Sequence, residues 1–278
     1  MYMTKKAKLS ESIITVFLFI AAVFCLFPVL MALLNSFKTK SEIFTNILAL
    51  PAHFNFDNYI RSFSKMKYFT SFFNTFTIVV IGISGIIIFS AMAGWILCRT
   101  KTRLSSFVFG LFIFSMLIPF NAVMIPLYRV AKILHLSNKI YGMGSIYIGL
   151  GVSMAIFMYH GFVKGIPYEI EESAYIDGCS KAQMFFKIVL PLLGPITATI
   201  SIMNVLWMWN DFLLPLIILA TPKNYTLLLS TNMLFGQYTS DWPAILSGLI
   251  LTVIPVIILY VLLQKNILKG VVDGALKG

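Results

Sequence analysis

Five carboxylates are the side chains whose type and placement could do chemistry in this sequence. Four of the ten acids, Glu169, Glu171, Glu172 and Asp177, crowd into the run Lys164 to Pro195, KGIPYEIEESAYIDGCSKAQMFFKIVLPLLGP, a mixed polar stretch between two apolar ones. A charged, amphipathic, structured segment in that position is suited to meet a soluble partner. The fifth, Asp211, is the only carboxylate inside the apolar stretches that follow. An acid near mid-membrane costs about 2.5–3.5 kcal/mol on insertion scales, and less toward an interface. Nucleophilic or metal chemistry finds no support. Cys25, Cys98 and Cys179 are far apart with no Cys-x-x-Cys pair, and His53, His135 and His160 are equally dispersed. There is also no G-x-x-x-x-G-K-[ST] phosphate loop, so the chain cannot supply an ATP site itself.

The elements that must position these acids are apolar helices. Hydrophobic residues make up 59% of the 278, charged residues 11%, and the mean hydropathy is +0.91. Soluble domains carry about 25% charged residues. Lipid must therefore cover most of this chain, which reads as an all-α polytopic membrane protein in one transmembrane domain. The net charge of +11 comes from short clusters beside apolar runs, such as Lys5, Lys6 and Lys8 or Arg99, Lys101 and Arg103. That pattern suits anionic headgroups and topology signals, and not a nucleic acid partner.

Six spans are predicted, at about 13–34, 72–97, 105–128, 141–163, 192–219 and 243–264. The first is too long for a cleaved signal and lacks a small-x-small site, so it is expected to be retained. Residues 35–70 read as a structured loop outside the membrane. Gly82, Gly85 and Gly94 in the second span allow close helix approach. Pro119 and Pro126 in the third predict a bent helix buried in the bundle, with Asn121 between them repairing broken hydrogen bonds or lining the interior. Tyr159 and His160 read as interfacial anchors. An even number of spans puts both termini on one face. That face would carry 12 of the 21 basic residues, which favours the cytoplasm.

Within 164–191 the spacing predicts helix, turn, helix. Pro167 with Glu169, Glu171 and Glu172 marks a helix start. Ile170, Ser173, Ala174 and Asp177 share a face, and Asp177 can pair with Lys181. Gly178 is the expected bend. Ala182, Phe185, Phe186 and Val189 form a second apolar stripe before Leu190-Pro191.

These residues carry a resemblance. Glu172-Ser173-Ala174, three residues, Gly178, nine residues, then Ile188-x-Leu190-Pro191 resembles the "EAA" loop of membrane subunits of binding-protein-dependent ABC importers, with Ser173 where alanine is usual. Trp209 to Leu216, Ile118-Pro119 through Tyr128, and the glycine-rich tail 270–278 are similar to carbohydrate-uptake permeases, the smaller maltose-type membrane subunit above all. The resemblance implies a sugar importer permease in the bacterial inner membrane. Its implied partners are a second permease subunit, two ATP-binding subunits that hold ATP and Mg, and an extracytoplasmic solute-binding protein. It implies no cofactor in this chain. Glu171, Glu172, Ser173, Ala174, Asp177, Gly178, Ile188, Leu190 and Pro191 are then the expected ATPase-coupling residues.

For the solute path, Asn204, Trp207 and Asp211 share a helical face. With Asn210 and Asn121 they could line a sugar path by hydrogen bonding and ring stacking. The same residues also read as an interfacial cap with an aromatic belt. Rival readings are an importer of a glycerophosphodiester or polyamine, an ion-driven secondary carrier, which should show several charged or broken-helix sites near mid-membrane, and a membrane-embedded enzyme. No inverted repeat is visible.

Overall fold

The computed structural model describes residues 5–236 and 240–275. The chain order is α1 Lys5–Ser36, α2 Lys40–Thr45, α3 Asp57–Lys65, α4 Tyr68–Arg99, α5 Arg103–Met116, α6 Phe120–Ile133 and α7 Ile140–Val163. There follow α8 Glu169–Ile176, α9 Lys181–Leu192, α10 Gly194–Trp209, α11 Leu213–Ile218 and α12 Trp242–Ala275. No strand occurs among the described residues, and the protein is an all-α polytopic membrane protein. Residues 14–36, α4, α7 and 242–262 are each long and apolar enough to cross a bilayer. Two further candidates are bent pairs, α5 with α6 at 107° and α9 with α10 at 74°. Six of the basic residues expected on the cytoplasmic face, Lys5, Lys6, Lys8, Lys265, Lys269 and Lys277, lie outside the described side chains.

The chain divides into two compact units, residues 1–67 with 231–254 and residues 68–230 with 255–278. In the first, the loop after α1 is knitted by side chains. Asn58 donates from Nδ2 to the carbonyls of Ser36 (2.8 Å) and Lys38 (3.0 Å). The buried Lys38 ammonium donates to the carbonyls of Asn46 and Ile47. Thr39 and Glu42 form a capping box at the start of α2. Donors from Thr39 and the Ala52 amide hold the Glu42 carboxyl below the usual carboxylate range. Ser62 of α3 reaches the Ala244 carbonyl (2.7 Å) and the Ser247 hydroxyl (2.8 Å).

The second unit is built on α4 against α7. Helices already in lipid gain little from leaving water, so association depends on close packing of small residues. A Cβ at Gly94 would lie 2.7 Å from Tyr159 Cβ and 3.0 Å from the His160 backbone nitrogen. One at Gly82 would lie 2.7 Å from Met208 Sδ on α10. This close approach overturns the reading of Tyr159 and His160 as interfacial anchors. Tyr159 is fully buried with its hydroxyl 2.9 Å from that of Thr197, and the buried His160 ring stacks on Phe109 at 3.8 Å.

Where the sequence suggested one buried helix over 105–128, the chain turns between α5 and α6. The Leu117 and Ile118 amides fold back onto Phe114 and Ser115 carbonyls, and Pro119, which has no N–H, caps α6 in an extended conformation. The bend is present, but the burial is not. Only Ser105 of α5 and Ala131 of α6 are buried.

Candidate functional site

Two places in the second unit hold the predicted residues. The first is the end of α4, where α8 and α9 are anchored. Glu171 is buried and bridges two side chains of α4. Trp95 donates from Nε1 to Oε2 (2.9 Å), and Arg99 donates from Nε to Oε1 (2.8 Å). Arg99 also makes an ion pair with Oε1 at 2.8 Å, donates to the Ile166 carbonyl (2.9 Å), and lies over the Tyr168 ring. Nε and Nη2 of the guanidinium thus hold one carboxylate and one carbonyl, which ties α8 to α4. Trp95 stacks at a tilt on Phe185 of α9, with centroids 5.6 Å apart. One residue pair therefore seats both short helices.

Between them Gly178 adopts φ +80°, the left-handed conformation expected of it. Ser180 and Gln183 then close a capping box at the start of α9. The S-x-x-Q spacing is the sequence signal for this cap, which the helix-turn-helix expectation did not include. Within α9, Phe185–Val189 widens into a π turn, with the Leu190 amide reaching the Phe185 carbonyl five residues back. Pro191 offers no amide to Lys187, so an ordinary helical bond is lost and the wider turn accommodates the loss.

The remaining coupling candidates separate by burial. Ala174 is buried with Glu171. Glu172, Ser173, Asp177, Gly178 and Pro191 are exposed, and Ile188 and Leu190 are half-buried. The tip residues Tyr175 and Ile176 are among the most exposed apolar side chains, at 74% and 78%. Two details of the helix reading fail. Asp177 and Lys181 make no ion pair among the described residues. The buried stripe is Met184, Phe185, Val189 and Leu193, while Ala182 and Phe186 face outward. Of the predicted stripe, Phe185 and Val189 are the buried members.

The second place is a cavity of about 810 Å³ between α5, α6, α7, α10 and α11. Asp211 sits in its wall, in the break between α10 and α11, and not within a continuous helix. Its Oδ2 accepts from the buried Tyr147 hydroxyl (2.9 Å) and its Oδ1 from the Leu214 amide (3.3 Å). It is therefore a cap and a cavity wall at once. Trp207 lines the same cavity and meets Tyr147 edge-on, with centroids 5.2 Å apart. Ser115 and Ser153, not foreseen in the sequence, add hydroxyls 2.8 Å apart. The other predicted pathway residues are not brought here. Asn204 and Asn210 donate to carbonyls one turn back, Ile200 (2.9 Å) and Leu206 (2.8 Å), and Asn121 is exposed in the first turn of α6.

The family profile described as "Binding-protein-dependent transport system inner membrane component" matches residues 86–273. A probable starch degradation products transport system permease protein of Thermoanaerobacterium thermosulfurigenes is 37% identical, covering 98% of this chain and 99% of the relative. A multiple sugar-binding transport system permease protein of Streptococcus mutans is 31% identical over 99% of this chain and all of its own length. The fold matches a chain in the crystal structure of a bacterial ABC transporter involved in import of the acidic polysaccharide alginate. There the TM-score is 0.83 and the identity 21%, covering 95% of this chain and 99% of that one.

Proposed function

The chain belongs to the family of inner-membrane components of binding-protein-dependent transport systems, and on that premise we propose that it is a sugar importer's permease subunit. It works beside a second permease, a pair of ATP-binding subunits and an extracytoplasmic solute-binding protein, and provides half of the translocation path. ATP and Mg belong to the ATP-binding subunits. Both termini and the α8–α9 segment face the cytoplasm.

The observation that carries this reading is the Trp95–Glu171–Arg99 joint. A lever must be stiff where it meets the load and accessible where it meets the motor. Here the root is buried and ion-paired, while Tyr175, Ile176 and Asp177 stand free at the tip. A partner that contacts this tip differently in its open and closed states would shift the bundle between conformations. The relatives named for starch products and multiple sugars favour a sugar over a glycerophosphodiester or polyamine. The cavity at Asp211 suits a sugar, with a carboxylate and serine hydroxyls for hydrogen bonds and the Trp207 ring for stacking.

The test is reconstitution of this chain with its neighbouring permease, ATPase and binding protein in vesicles. Labelled oligosaccharide should enter only with ATP, and Ile176→Asp should abolish ATPase capture while leaving the chain folded. Capture and uptake both unchanged in that variant would remove the coupling assignment.

A further inference from the structure

Beside the α8–α9 anchor, at the same end of the second unit, lies a cavity of about 630 Å³ that neither the lever nor the solute path uses. Its charged lining is Lys101, Arg103 and Lys164, with Thr100, Thr102 and Ser106 supplying hydroxyls. Among the described residues these three cations form no salt bridge and no side-chain hydrogen bond. No acid lines this hollow, and Glu171 on α8 is already engaged by Arg99. All three are exposed, so water screens their mutual repulsion, and an anion seated between them would be attracted by each.

The surroundings say which kind of anion. Arg103, Ser106 and Gly110 follow one another along one face of α5, bordered by the apolar row Leu104, Phe107, Leu111 and Phe114, which is 52–70% exposed. On α7, Phe157 and Gly161 adjoin Lys164, with Phe157 exposed. A Cβ at Gly110 or Gly161 would meet nothing within 4 Å, so both helices leave open space beside the hollow. A basic, hydroxyl-lined hollow that opens onto uncovered apolar helix surface matches a molecule with a phosphate at one end and acyl chains at the other.

We propose that this hollow holds the headgroup of an anionic phospholipid, with phosphate oxygens toward Lys101, Arg103 and Lys164 and acyl chains along α5 and α7. Bidentate pairing by Arg103 and point-charge pairing by the lysines are both suited to a phosphodiester. The site neighbours the root of the lever, so a bound lipid also screens repulsion between these cations and Arg99.

The test uses the full-length chain in mild detergent, with native mass spectrometry after incubation with phosphatidylglycerol, phosphatidylcholine or inorganic phosphate. Wild type should retain phosphatidylglycerol through delipidation and release phosphatidylcholine. Each removed charge should weaken retention about fivefold, so K101Q/R103Q/K164Q should weaken it about 100-fold. The charge-keeping K101R/K164R variant should retain the lipid, and each single variant gives the fivefold step if the triple variant does not fold. Equal retention of both lipids by wild type, or of phosphatidylglycerol by wild type and variant, overturns the proposal. So does displacement of the lipid by inorganic phosphate, which would mark a soluble-anion site. Loss of ATPase capture with undiminished lipid retention would mark a protein-docking patch, and overturns it equally.

Discussion

Glu171 and Asp211 are both carboxylates held by an aromatic donor on a neighbouring helix, yet they are built for different work. Glu171 takes Trp95 on one oxygen and Arg99 on the other. Its charge is answered by a guanidinium, and the two side chains are only 6% and 18% exposed. Asp211 takes Tyr147 and a backbone amide, and no cation pairs with it among the described residues. A compensated carboxylate makes a joint. An uncompensated one, in the wall of a cavity, keeps hydrogen-bonding capacity for something that enters.

Breaking the joint should give the largest effect. Arg99→Ala leaves a buried carboxylate unpaired, which costs about 3–5 kcal/mol for buried pairs. The expected result is a much lower melting temperature in detergent and loss of ATPase capture together. Arg99→Lys should recover only part of it, because one ammonium cannot serve Oε1 and the Ile166 carbonyl with the same fork. If Arg99→Ala melted like wild type, the joint would not be holding the lever.

Tyr147→Phe comes next. Removing a donor to a carboxylate costs about 1.5–3 kcal/mol. Here the expected signature is in transport, as a raised KM for sugar uptake with ATPase capture intact. A stability loss with unchanged uptake would make Asp211 a joint as well, and the contrast drawn above would collapse.

Gly178→Ala tests the turn between the two short helices. The added Cβ meets nothing within 4 Å, so only the left-handed backbone is at issue. The cost is about 1–2 kcal/mol, and Gly178→Asn should cost less. Uptake per ATP hydrolysed is the measurement, and equal coupling in both variants would remove the turn from the mechanism. The smallest effect is expected from Ser180→Ala, which deletes the cap of α9 for about 1 kcal/mol. Faster amide exchange confined to 181–184 would confirm it.

Much of the first place was legible in the sequence. The acids behind Pro167 and the glycine bend follow from local backbone chemistry, which acts within a few residues. Pro191 does not launch the next span as expected: it lies inside α9, and Pro195 stands in the first turn of α10. The cap Ser180–Gln183 is equally local, an S-x-x-Q spacing present in the sequence. Which acid would be the joint was not legible. Glu169, Glu171 and Glu172 are alike in sequence, and only the approach of Trp95 and Arg99, more than 70 residues away, selects Glu171. The second place was half legible. Asp211 and Trp207 stood out as a polar and an aromatic residue in apolar surroundings, whereas Ser115 and Ser153 join the cavity only because the α5–α6 turn brings α5 alongside α7.

Composition and apolar run length by themselves determined that the chain is a helical membrane protein, because hydrocarbon admits no unpaired backbone polar groups. The spacing of glycine, proline and acids determined a bent pair of short helices between two apolar segments. Tertiary structure alone decided which face of those short helices is buried, where Asp211 points, and that Tyr159 and His160 lie inside. Those outcomes depend on which side chains meet across α4, α7 and α10, a matter of contacts between distant residues and not of local preference.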